Sequence, residues 1–235
     1  MHLDRHVGVA GLLAAALVFA VVPLTAPAET GSDPAARTPQ AGRNLEPPPG
    51  WHIRYDGDAA ATREHVVMRP GWHIHPGPAG IFWDAGNVAS GNYSVKSTIF
   101  LFPAGSGEPP ASVDEPYGVF FAGQDLDDPQ LAYVSFLLRN DGAFRVARHE
   151  GASVTELIPW TPHEAIATWS EGDQGQPQNV LLADLREDEV VFWVNEARVG
   201  ALPRAQVAGD GIVGLRAGAG SSLHVTDLVI GPNRR

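Results

Sequence analysis

The chain has 235 residues, no cysteine, 16 Lys+Arg against 27 Asp+Glu, and a net charge of −11. That balance argues against nucleic acid and against an anionic bilayer as partners, since both call for a basic patch. The absence of cysteine excludes a disulfide framework, a thiolate metal site and a lipid carried on an N-terminal cysteine.

Val7 to Val22 carries no charged or strongly polar side chain. Arg5 precedes it, and Ala26-Pro27-Ala28 follows as an A-x-A cleavage signal. The run is short for a spanning helix, which needs ~20 apolar residues. Residues 1–28 are therefore expected to be a cleaved signal peptide, and an uncleaved N-terminal anchor is the alternative. The expected destination is a bacterial periplasm or the extracellular space, with no membrane attachment after cleavage. Arg5 and Asp4 leave together, so cleavage does not change the net charge. Pro34, Pro39 and Pro47 to Pro49 break any regular element over residues 29–49, which reads as a disordered linker. Residues 50–235 then form a single domain with room for a full core.

Almost everything after Trp51 reads as strand. Trp51 to Tyr55, Glu64 to Arg69, Trp72 to His75 and Gly80 to Asp84 are short extended runs. In Gly91 to Phe102, Tyr93, Val95, Ser97, Ile99 and Leu101 alternate with Ser94, Lys96 and Thr98, the period-two pattern of a half-buried strand. Tyr117 to Gly123 and Leu131 to Arg139 are apolar on both phases, as central strands are. Asn140-Asp141-Gly142 predicts a tight hairpin of type I′. Ala143 to His149 returns from it, with Phe144 and Val146 on one face and Arg145 and His149 on the other. Val154 to Ile158, Asn179 to Leu185 and Val190 to Val194 follow. Asn195-Glu196 turns the chain into Ala197 to Leu202, and Gly211 to Ala217 and Leu223 to Ile230 close the domain. One short helix is expected at Thr161-Pro162-His163-Glu164, with a capping residue, proline at the first helical position and a body of Ala165-Ile166-Ala167. So many short strands predict an all-β fold, a two-sheet antiparallel jelly-roll sandwich. Trp-His-Ile occurs at 51–53 and at 72–74, with no longer repeat around it.

Several of these segments resemble a known family. They are Gly71-Trp72-His73-Ile74 with Gly77-Pro78-Ala79, Gly91-Asn92-Tyr93-Ser94-Val95-Lys96, and Tyr117-Gly118-Val119-Phe120-Phe121-Ala122-Gly123. Asp141-Gly142 with Phe144-Arg145-Val146, Val191-Phe192-Trp193-Val194-Asn195 and Gly211-Ile212-Val213-Gly214-Leu215 continue the series. In this order, over roughly Trp51 to Ile230, they resemble secreted bacterial domains of the concanavalin A-like lectin/glucanase superfamily. Within it they resemble the 3-keto-disaccharide hydrolase-like group. The resemblance implies a concanavalin A-like sandwich of two curved sheets and a carbohydrate context. It supplies no catalytic residues: the Glu-x-Asp-x-x-Glu strand of laminarinase-type enzymes has no counterpart here.

The residues themselves offer no catalytic pair. Glu187-Asp188-Glu189, Asp125, Asp127, Asp128 and Asp114-Glu115 sit at turns or in loops, whereas hydrolysis of a sugar bond needs two carboxylates ~5 to 9.5 Å apart. His73 and His75 project from one face of an extended segment, but no cysteine or strand carboxylate completes a transition-metal site. No metal or other cofactor is expected. Calcium at Gln124-Asp125-Leu126-Asp127-Asp128 is the one candidate, an oxygen-rich loop with an incomplete ligand pattern. Sugar binding needs aromatic faces and a few hydrogen-bonding side chains. His73, Trp83, Lys96, Tyr133 and Arg145 are the candidate ligand contacts, expected on one sheet face. The reading is an exported sandwich that binds carbohydrate or another polyhydroxylated ligand without catalysis. A hydrolase acting on modified disaccharides and a structural or protein-binding sandwich are the alternatives. Nothing in the sequence sets an oligomeric state.

Overall fold

The computed structural model describes residues 47–57, 63–103, 112–207 and 209–233. The expected signal segment 1–28 and most of the linker 29–49 lie outside the described residues. The strands begin with β1 (Trp51–Tyr55), β2 (His65–Val67), β3 (Trp72–Ile74), β4 (Gly80–Ala89) and β5 (Tyr93–Phe102). Next come β6 (Tyr117–Gln124), β7 (Ala132–Arg139), β8 (Ala143–Glu150) and β9 (Ser153–Pro162). The last are β10 (Gln178–Leu185), β11 (Glu189–Val194), β12 (Ala197–Pro203), β13 (Gly211–Ala217) and β14 (Ser222–Gly231). Sheet 1 has the order β1-β4-β13-β6-β7-β8-β9 and sheet 2 the order β12-β11-β10-β5-β14-β3-β2, all pairs antiparallel. The domain is an all-β, two-sheet jelly-roll sandwich.

Alternation builds the core between the sheets. Phe82, Val119, Phe121, Phe136, Phe144 and Leu215 face inward from sheet 1. Val95, Ile99, Leu181, Phe192, Leu223 and Val225 meet them from sheet 2. The remaining phase of each strand points outward, so each sheet has one outer face. The two Trp-His-Ile tripeptides obey the same rule in different sheets. Trp51 and Trp72 meet edge to face at 5.0 Å under the core, while His52 and His73 turn outward on opposite sides of the sandwich. Between them, Gly71 admits the chain against β14. Its φ is +88°, and a Cβ there would lie 1.9 Å from the Val225 carbonyl oxygen.

Two turns differ from the expected chemistry. At Asn140-Asp141-Gly142 only Gly142 has positive φ. The loop has three residues, with Gly142 N–H donating to the Arg139 carbonyl at 3.1 Å. This is a type I turn followed by a left-handed glycine. The two-residue turn with both φ values positive is Asn195-Glu196, at +48° and +70°, between β11 and β12.

The short helix expected at 161–167 is absent. Thr161 and Pro162 end β9, and a single turn follows that drops Ile166 into the core. Asparagine amides take the backbone groups a helix would need. Asn179 bonds both the N–H and the C=O of Ala167 at 2.9 Å, and Asn195 donates to the Ala165 carbonyl at 2.8 Å. Thr161 Oγ1 donates backward to the Pro159 carbonyl instead of capping. The sole helical element among the described residues is a 3₁₀ turn, η1 (Arg204–Gln206).

Candidate functional site

The outer face of sheet 1 is built from rows of residues paired across strands. One row runs Arg54 (β1), Ile81 (β4), Arg216 (β13), Gly118 (β6), Leu137 (β7) and Arg145 (β8). With strands ~4.8 Å apart, it places three guanidinium groups on one surface. Beside it lies a second, smaller apolar cluster of Ile81, Trp83, Phe120, Leu126, Leu131 and Tyr133. The loop after β6 is tied over this cluster by Arg54, whose Nη1 donates to the carbonyls of Leu126 at 3.0 Å and Asp128 at 2.6 Å.

A pocket of about 590 Å³ opens where these features meet, lined chiefly by Arg54, Asp56, Leu131, Tyr133, His149 and Arg216. Arg216 holds Asp56 with a two-pronged contact, Nη1 to Oδ1 at 3.2 Å and Nη2 to Oδ2 at 2.5 Å. Nη1 also donates to the Tyr133 hydroxyl at 3.2 Å. The Tyr133 ring stacks on His149 at 4.2 Å and 11°. His149 Nε2 shares a hydrogen bond of 3.0 Å with the buried Ser135 hydroxyl. Arg145 and Arg139 both lie against the Trp160 ring, with guanidinium carbons 4.9 and 4.6 Å from its centroid.

Electrostatics follow from this crowding. Burial, then the charges of Arg216 and Arg145, push the His149 imidazolium down to about 3, so the ring is neutral at pH 7. Burial raises the Tyr133 phenol, against the pull of Arg216. On the opposite side of the sandwich, burial and the neighbouring His75 and His224 push His73 down to about 3 as well. An unfolded histidine titrates near ~6.5. Between there and about 3 the unfolded chain binds more protons than the native one, so acid favours unfolding. Stability is expected to fall as pH drops from 7 to 4.5, by roughly 2 kcal/mol for each of these two histidines. The decline begins above the carboxylate range, and denaturant midpoints at half-unit pH steps would show it. A midpoint unchanged between pH 7 and 5 would contradict it.

The structure divides the five residues singled out from the sequence. Tyr133 and Arg145 lie on the outer face of sheet 1, Tyr133 in the pocket wall and Arg145 in the arginine row. Trp83 is on that face too, but it is 2% exposed within the second apolar cluster and stacked on His52 at 5.5 Å. It is a packing residue and not an open platform. His73 and Lys96 belong to β3 and β5 of sheet 2 and point out of the other side of the molecule. The expectation that all five share one face is therefore corrected, because consecutive strands along the chain cross between the sheets. His73 is buried against Ser222 Oγ at 2.9 Å, with the His75 ring 4.8 Å away. Lys96 is exposed beside Leu182 and Val229.

Arg54, Asp56, His149 and Arg216 complete the pocket and were not singled out. The signal was present for two of them: Arg54 and Arg216 are cations on the polar phase of a strand, the criterion that selected Lys96. In the loop considered for calcium, the Leu126 and Asp128 carbonyls are occupied by Arg54. Among the described residues, no three His, Asp or Glu side chains gather as metal ligands.

No family model and no curated protein matches the sequence. Solved structures share the fold at very low identity. The carbohydrate-binding module CBM66 from Bacillus subtilis superposes with a TM-score of 0.54 at 11% identity, over 77% of this chain and 95% of that one. The Bacteroides ovatus mixed-linkage glucan GH16 protein, in complex with G4G4G3G product, gives 0.52 at 9% identity, over 80% and 97%. An endo-β-1,3-glucanase from Pyrococcus furiosus gives 0.51 at 9% identity, over 78% and 88%. The fold is thus one shared with a carbohydrate-binding module and with glucan-related enzymes.

Proposed function

We propose that this protein is an exported sugar-binding sandwich that takes a glycan in the pocket on the outer face of sheet 1 and does not cleave it. The observation that carries the reading is the pocket itself. Arg54, Tyr133 and Arg216 present fixed hydrogen-bonding groups, with Asp56 at the rim, beside the apolar surfaces of Leu131 and Val154, in a volume that suits one or two sugar rings. Polyhydroxylated ligands need such a mixture of directional polar groups and apolar wall. The fold supports the reading, because the similar structures include a carbohydrate-binding module and a glucanase, although fold alone does not fix function. Binding without cleavage is supported by the charge inventory. Among the described residues Asp56 is the one carboxylate lining the pocket, and Arg216 engages both of its oxygens, whereas the usual glycosidase mechanism requires two carboxylates. Export rests on the apolar run and cleavage signal before residue 29.

The test is an array of immobilised oligosaccharides followed by calorimetric titration of the mature chain with those retained. Binding without release of reducing sugar supports the proposal. Release of product from 3-keto-glucosides would instead support an enzyme, as the resemblance to 3-keto-disaccharide hydrolase-like domains implies. Silence in both assays would favour a structural or protein-binding sandwich. Lys96→Met is the internal control. Lys96 lies on the opposite outer face and is exposed, so its replacement is expected to leave sugar affinity unchanged and stability within about 0.5 kcal/mol. Loss of binding in Lys96→Met would move the site to sheet 2.

A further inference from the structure

The charge of the pocket is the reverse of the charge of the chain. The protein carries −11 overall, yet Arg54, Arg216 and Arg145 converge on Tyr133 and His149, where each registers on the titration of Tyr133. Against them stand Asp56 and, beside Arg145 at 3.5 Å, Glu156. His149 adds no charge at neutral pH. Arg54 has no carboxylate within 4 Å among the described residues; its Nη1 donates to two carbonyl oxygens. Arg145 keeps a buried Nε–H without an acceptor among the described residues. The surface thus holds more cationic donors than carboxylates among the described residues beside them.

One carboxylate already sits on Arg216. The side chain of Asp56 is 51% exposed and lies past the end of β1, while that of Arg216 is 15% exposed and fixed from the other side by Tyr133. The rigid half of this pair is the arginine, and the exposed half is the acid. The planar two-pronged geometry is that of a guanidinium binding a carboxylate.

We propose that the pocket is selective for a carboxylated sugar, a uronide, whose carboxylate replaces that of Asp56 on Arg216 and lies between Arg216 and Arg54. This rests on the sugar-binding reading and names its ligand class. Asp56 then acts as an internal stand-in that keeps Arg216 oriented and desolvated when no ligand is bound, and that lowers the apparent affinity because it must be displaced. A neutral glycan would gain the hydroxyl contacts of the same pocket but not the charge-assisted pair.

The experiment is calorimetric titration of the mature chain with trimers of galacturonate, mannuronate and guluronate, each beside its methyl ester, and with neutral gluco- and galacto-oligosaccharides. The ester keeps the ring and removes the charge. At least one uronide is expected to bind at least about tenfold tighter than its ester, a preference that shrinks as salt is raised. Asp56→Ala is expected to tighten the uronide severalfold relative to the ester. Arg216→Met should erase the difference between acid and ester. Equal affinity for acid and ester, or an Asp56→Ala variant with unaltered uronide affinity, would overturn the proposal. Neutral oligosaccharides bound in this pocket without acid preference would remove the ligand class and leave sugar binding standing. No binding of any probe would remove both.

Discussion

Arg63→Met is expected to lower the free energy of unfolding by about 4 kcal/mol or more, the largest effect of any single change considered for this chain. Arg63 lies just before β2 and is fully buried. Its guanidinium donates Nε to the Pro78 carbonyl at 2.6 Å and Nη1 to those of His75 at 3.1 Å and Ser221 at 2.8 Å. Nη2 donates to Gly77 at 3.2 Å and to Gly218. Five carbonyl oxygens from two loops thus meet on one side chain, and no described carboxylate lies within ion-pair distance of it. One loop joins β3 of sheet 2 to β4 of sheet 1, and the other joins β13 of sheet 1 to β14 of sheet 2. Arg63 therefore ties together the places where the chain changes sheets. Gly77 makes room for it, since a Cβ there would lie 2.4 Å from Arg63 Cγ.

Burial lowers the Arg63 guanidinium to about 10, which leaves it charged at neutral pH. Methionine fills much of the volume but removes the guanidinium from all five carbonyls. Gly77 keeps the Gly220 N–H and Gly218 keeps Ser221 as donors, whereas those of His75, Pro78 and Ser221 lose theirs, and each orphaned group costs about 1–3 kcal/mol when the site cannot admit water. Arg63→Lys is expected to restore little, because an ammonium has three donors on a different geometry. Denaturant titration with an unchanged slope would measure the loss. A decrease below about 1.5 kcal/mol for the methionine variant would show that the loops hold without it.

Arg216→Met is the second large effect, and it falls on binding instead of folding. Arg216 orients Asp56 and the Tyr133 hydroxyl, and its side chain is only 15% exposed. Its loss is expected to weaken sugar binding by about 100-fold, the worth of a well-placed charged donor in a partly enclosed site. Asp56 is half exposed and can turn to water, so the fold is expected to survive with little change in melting temperature. Tyr133→Phe should have a smaller effect in the same direction, because Asp56 still holds the guanidinium in place. An Arg216→Met variant that folds and binds as tightly as the parent would remove the pocket from the mechanism.

Much of the fold was legible because sandwich strands announce themselves by alternation. Tyr93, Val95, Ile99 and Leu101 point inward as the period-two pattern requires, with Lys96 outward. The failures have a common cause in partners distant along the chain. The pattern at 161–164 is a sound helix start taken locally, but Asn179 and Asn195 claim the backbone groups of the residues that would follow.

The site was harder. Tyr133 and Arg145 could be singled out in the sequence, one as an aromatic ring and the other as a cation on the polar phase of a strand. Their partners were not, because Asp56 and Arg216 are 160 residues apart and meet only through the strand order β1-β4-β13. Sheet order is also what separates Lys96 and His73 from the other candidates. Alternation says that a residue points outward; only topology says out of which sheet. Trp83 shows the remaining ambiguity, since an outward phase does not imply exposure where a loop folds back across the sheet. The stretch from Gly71 to Asp84 contains the crossing itself: β3 opens it in sheet 2 and β4 closes it in sheet 1.

The most direct test of a sugar site on the outer face of sheet 1 is a nuclear magnetic resonance titration of the isotope-labelled chain from residue 29 onward with the oligosaccharide that binds best. The side-chain Nε–H signals of Arg54 and Arg216 and the backbone amides of Tyr133 and His149 are predicted to shift, while those around His73 and Lys96 stay fixed. Shifts confined to the face that carries His73 and Lys96 would contradict the assignment.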